Sequence, residues 1–265
     1  MVYGVYYAQN LHRNPMHIPP GLTGRLIIIA LVAGLLSLLL YGLRHALTRL
    51  KIAENRRRRL LGFTLAGLIC WLAILGVLAF AGFFRNFQAL PPRLLLAVFP
   101  PLIAILALFF SRKMRLLLLA VPPGWLLYAQ TFRILMELFL WLGYRGGFVP
   151  PQMTFEWLNY DIIVGLTAPI AGFVFFGRGR FRRFEAVLWN IFGVALLLNI
   201  VLISMLSTPS PLRIFMNDPP NTFVAEFPFV WIPGFIVPFA LALHLFSLKQ
   251  LLFARPVRRQ FRLRR

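Results

Sequence analysis

Long apolar runs, separated by short arginine clusters, set the rhythm of this chain. A helix needs roughly 20 apolar residues to cross the hydrocarbon of a bilayer. Seven runs approach that length: Leu26 to Leu43, Leu61 to Phe84, Leu94 to Phe110, Gly124 to Gly143, Asp161 to Phe176, Glu185 to Leu206 and Phe229 to Phe253. They are apolar all round, so their surfaces must meet lipid or other helices. The pattern predicts an all-α fold, an integral membrane bundle of seven transmembrane helices.

Prolines punctuate the pattern. Pro122-Pro123-Gly124 divides the overlong stretch Leu116 to Tyr144, leaving its first residues at the membrane interface. Pro100, Pro101, Pro169, Pro233 and Pro238 fall inside runs. Each removes a backbone donor and frees a carbonyl. In transporters such broken helices line binding sites. Small residues (Gly62, Ala66, Gly67, Ala73, Gly76, Ala79) space the second run and allow close helix approach in lipid.

Composition narrows the class. Of 265 residues, 60% are hydrophobic and 13% charged, which leaves little for a separate soluble domain. The net charge of +21 would suggest nucleic acid on a soluble protein. Here the placement of the charges explains them. Of the 28 Lys and Arg, 21 fall in the first, third and fifth connections and the C-terminal tail, counting Lys249 with the tail. Positive residues mark cytoplasmic loops, so the N-terminus is expected outside and the C-terminus in the cytoplasm. The expected division is residues 1–25 as an extracytoplasmic segment, 26–253 as the transmembrane domain and 254–265 as a basic cytoplasmic tail.

The expected partners are the bilayer, with anionic head groups at the basic loops, and a small molecule or ion, but no nucleic acid. The arginine-rich flanks point to a bacterial inner membrane. Residues 1–20 are polar and proline-rich, so no cleavable signal peptide is expected. Cys70 is the only cysteine, which excludes an intrachain disulfide.

The candidate chemistry starts at Gln130-Thr131-Phe132-Arg133-Ile134-Leu135-Met136-Glu137. Arg133 and Glu137 are four apart and share a helix face, and Gln130 joins that face one turn earlier. A charge at this depth costs at least about 2.5 kcal/mol unless it is partnered. The Arg-then-Glu order is the weaker one for an i,i+4 pair, so partners from other helices are expected. Asp161, Asn199 and His244 are the candidates. The blander readings are a structural ion pair for Arg133 and Glu137, an N-cap for Asp161, and interhelical hydrogen bonds for Asn190 and Asn199.

Two histidines at similar depth, His45 and His244, raise haem ligation as an alternative. A retinal Schiff base is disfavoured, because Lys51, Lys113 and Lys249 all lie in loops or at a flank. Motifs of hydrolases, zinc proteases and phosphate-binding loops are missing. The functional expectation is a small permease-like or ligand-binding bundle with an outward-facing polar cavity around Arg133 and Glu137. The alternative is a membrane sensor or assembly partner that works through its outer loops, residues 146–160 and 207–227.

Overall fold

The computed structural model describes residues 21–254. The N-terminal segment before Gly21 and the tail arginines from Arg255 onward lie outside the described residues. Nine α-helices and no strand are found among the described residues. They are α1 (Leu22–Arg49), α2 (Glu54–Phe80), α3 (Leu95–Phe110), α4 (Arg112–Leu119), α5 (Pro123–Ala129), α6 (Phe132–Arg145), α7 (Ile162–Phe176), α8 (Arg183–Ser207) and α9 (Val237–Phe253). A π-helical turn, Ile232–Ile236, leads directly into α9.

Six spans are long and apolar enough to cross a membrane: α1, α2, α5 together with α6, α7 with its following turn, α8, and the π turn with α9. The third run of the sequence is the exception. It forms α3, whose 16 residues reach only about 24 Å at 1.5 Å per residue. With α4 it passes the same test as a pair bent by 78°. The molecule is thus a helical bundle with the apolar helices of a membrane protein. Its surface carries large exposed apolar side chains such as Phe63, Phe80, Ile103 and Phe110.

The helix ends depart from the hydropathy runs where arginine is concerned. The run Arg56-Arg57-Arg58-Arg59 lies in the first turns of α2, not in a loop. Arginine is a good helix former, and Glu54 sits in the first turn, where a carboxylate suits the helix dipole. Glu54 pairs with Arg57 and Arg58 one turn on.

The helix α9 is the hub, packed against α3, α4, α5 and α8. Its polar residues hold the bent pair. Lys249 donates to the carbonyls of Ser111 (2.7 Å), Phe109 and Leu108 at the C-terminal end of α3, where backbone N–H groups also reach Leu108 and Ser111. Gln250 donates to the carbonyls of Leu118 (2.5 Å) and Val121 (2.6 Å), which closes α4. Lys249→Met should therefore remove the side-chain bonds that tie α9 to the α3 terminus and cost about 1–3 kcal/mol in a denaturation series, whereas Lys249→Arg should retain most of this stability. Equal stability of Lys249→Met and wild type would show that these contacts do not set the bend.

One internal proline is compensated from another helix. Pro238 has no N–H to give the Gly234 carbonyl one turn before it. The indole of Trp71 on α2 supplies the missing donor at 2.9 Å. In return Trp231 donates to the Leu72 carbonyl at 2.9 Å. These two bonds bolt α2 to the π turn.

Candidate functional site

The helix α6 begins after a break at Gln130–Thr131. Phe132, Met136, Phe139 and Leu140 bury one face of it, and Arg133 and Glu137 fall on that same face. Both charged residues are only 1% exposed. Asp161 opens α7 opposite them and is also buried. The Arg133 Nη1 atom lies 3.0 Å from Asp161 Oδ1. The contact is an ion pair without hydrogen-bond alignment. None of the three guanidinium nitrogens donates to a protein acceptor, and Asp161 Oδ1 receives no hydrogen bond.

Asn159 organises the two carboxylate residues. Its amide donates to Glu137 Oε2 at 2.6 Å and to the Met153 carbonyl at 3.0 Å. Its Oδ1 accepts from the Asp161 backbone N–H at 3.0 Å. Gly165 permits the close approach of α6 and α7, since a Cβ there would lie 2.9 Å from the Ile134 backbone nitrogen and 3.3 Å from Arg133 Cβ.

Arg133, Glu137 and Asp161 line a cavity of about 180 Å³. The cavity reaches the surface at Asn86 and Leu212, both exposed. Its walls are mostly apolar, formed by residues such as Leu95, Val98, Ile200, Val201, Phe223 and Val237. With all three floor residues ionised, two carboxylates outweigh one guanidinium. A further anion about 4 Å from a carboxylate meets about 4 kcal/mol of repulsion at an effective dielectric near 20.

The other sequence candidates go elsewhere. Gln130 caps the end of α5, and its side chain donates to the Ala240 carbonyl at 3.1 Å. Asn199 is half-buried and donates to the Leu158 carbonyl at 2.8 Å, tying α8 to the loop before α7. His244 is buried behind the cavity, with its Nδ1 3.0 Å from Asn190 Oδ1 and its ring against Trp189. Asn190 also donates to Ser247, so it joins α8 to α9 as expected of interhelical glue. His45 packs on the Trp125 ring at 4.6 Å. Asp161 holds the N-cap position of α7, yet its side chain makes no cap hydrogen bond, because it faces Arg133 instead.

The loops at residues 146–160 and 207–227 form a packed cap over one end of the bundle. Gln152 donates to Ser207 Oγ at 2.7 Å and accepts from Asn217 at 2.7 Å. Asn221 donates to the Ser204 carbonyl and hydroxyl. Met153, Phe223, Val224 and Ala225 are buried beneath. Asn159 belongs to this cap. No hydropathy signal marks it, because its role depends on a loop folding back onto α6.

A family model described as "Domain of unknown function (DUF8737)" matches residues 90–252. The matched stretch holds Arg133, Glu137, Asn159 and Asp161, and it leaves α1 and α2 outside. No curated protein and no solved structure matches the chain.

Proposed function

We propose that this chain, which belongs to the DUF8737 family, is a small ligand-binding membrane bundle of permease type with its cavity open to the outer side. The observation that carries the reading is the cavity floor. A buried guanidinium without a hydrogen-bonded acceptor lies beside two buried carboxylates, in a cavity whose walls are mostly apolar. Buried polar groups are normally satisfied, and exceptions cluster where a ligand or ion is handled. Arg133 would receive an acceptor from the ligand, Asp161 would hold the guanidinium in place, and Glu137 would exchange a proton.

In this reading α3 is the seventh crossing, and α4 lies along the cytoplasmic interface with Arg112, Lys113 and Arg115. The charge asymmetry of the connections supports an outer N-terminus and a cytoplasmic C-terminus, in a bacterial cytoplasmic membrane. The Gln152, Ser207 and Asn221 bonds favour this reading over a sensor with free outer loops, because they fasten those loops to the bundle.

Glu137→Gln tests it. The variant keeps the shape and an acceptor oxygen for Asn159 but cannot release a proton. Ligand binding should vary with pH in the wild type and become independent of pH in Glu137→Gln, with the variant still monodisperse on size exclusion. Complete loss of folded protein would instead identify Glu137 as a structural partner and overturn the proposal.

A further inference from the structure

We infer that the cavity takes a neutral amphiphile with a hydroxyl head, seated at Arg133, Glu137 and Asp161, and an apolar tail along the walls. The inference rests on the ligand-binding reading above and adds the chemical class. It follows from the donors and acceptors that the floor leaves open. Arg133 makes an ion pair with Asp161 but no aligned hydrogen bond from any guanidinium nitrogen among the described residues. Asp161 Oδ1 accepts no hydrogen bond among the described residues, and the Asn159 amide donates to Glu137 Oε2. A head group that completes this floor must both accept and donate. A hydroxyl does so with one O–H and two lone pairs.

The charged alternatives fit less well. A carboxylate or phosphate would satisfy Arg133 but would set a negative charge beside the Asp161 carboxylate, and beside Glu137 as well whenever that group has released its proton. An ammonium group would donate to the carboxylates, but it offers Arg133 no acceptor and sets a second cation against the guanidinium. A plain alkane leaves the whole floor unmet. Farther out the lining includes the polar Asn86, Arg93, Ser204, Thr208 and Ser210, and of these Arg93 is engaged by the Phe83 carbonyl and ring. The hydroxyl of Thr208 already donates to the Ser204 carbonyl at 2.8 Å, and Ser204 Oγ accepts from Asn221 at 2.7 Å. Beyond these the passage is walled by Leu95, Val98, Val201 and Val237, which suits a hydrocarbon tail.

The test is photolabelling of the full chain in lipid nanodiscs with a diazirine-bearing octanol, read by peptide mass spectrometry. Adducts are expected on the cavity walls around Val201 and Phe223. Unlabelled n-octanol should suppress them at concentrations at least about tenfold below those needed for octanoate, octylamine or octane, a preference of about 1.4 kcal/mol. Val201→Phe and, independently, Val98→Phe should fill the passage and abolish the protectable adducts. Stronger protection by octanoate or octylamine would overturn the hydroxyl assignment and leave the ligand-binding reading standing. Adducts spread over lipid-facing residues such as Phe63 and Ile103, with none on the walls that any competitor protects, would overturn both.

Discussion

Arg133→Met is expected to destabilise the bundle by about 3–5 kcal/mol, the usual effect of removing one member of a buried ion pair. The substitution preserves helix propensity and most of the volume. What it removes is the positive charge between α6 and α7. Glu137 and Asp161 are then two buried carboxylates with no cation beside them, and the main remaining donor is the Asn159 amide. Arg133→Met combined with Asp161→Asn should be more stable than Arg133→Met alone, because one uncompensated charge is gone. A coupling energy of about 0.5–3 kcal/mol between the two sites is expected for residues in contact. Arg133→Lys should fall between wild type and Met. It keeps the charge but replaces a planar fork by a point charge on a flexible stem. Unfolding titrations in mixed micelles, monitored by far-UV circular dichroism, give the ordering. Additive effects at positions 133 and 161 would refute the ion pair as the link between α6 and α7.

Hydropathy and charge carry much of this architecture, because lipid imposes length and apolarity on every crossing. The runs that became α1, α2, α7 and α8 are readable on those grounds alone. The same argument reaches its limit at α3. Its run is apolar enough, but the chain turns by 78° after Phe110. That turn is held by Lys249 and Gln250, more than a hundred residues away in sequence. Lys249 reads as part of a basic flank, and only the tertiary contact shows it as the cap of another helix.

The candidate site shows a similar division. Depth in the membrane is legible from sequence, so Arg133, Glu137 and Asp161 could be picked out as charges in costly places. Rotation about a helix axis is not legible for a helix that is apolar all round. Asn199 and His244 have suitable depths, yet one faces the loop at Leu158 and the other faces Asn190. Gln130 shares the heptad face of Arg133 in an ideal helix, but the break before α6 turns it towards Ala240. Asn159 was invisible for the converse reason: its neighbours in sequence are loop residues, and its partner Glu137 is reached only by folding.

Gly165→Ala should show the second large effect, because the substitution acts on the contact that builds the site. The added Cβ would sit 2.9 Å from the Ile134 backbone nitrogen, as well as 2.9 Å from Ile134 Cγ1. A side chain can rotate away, but a backbone nitrogen cannot, so α6 and α7 must separate. Overpacking of this kind costs about 1–3 kcal/mol. The separation also stretches the 3.0 Å contact between Arg133 and Asp161, since each lies on one of the two helices' first turns or caps. Gly62→Ala on α2 is the matched control. A Cβ there meets nothing within 4 Å, so the change should be neutral or stabilise by up to about 1 kcal/mol through helix propensity. Both variants add one methyl group to an apolar helix, and their difference isolates the packing of α6 on α7. The Gly165→Ala midpoint should therefore fall while that of Gly62→Ala stays level or rises. If Gly165→Ala proves as benign as Gly62→Ala, the two helices are not held at the spacing that brings Asp161 to Arg133, and the floor of the cavity is softer than its geometry implies.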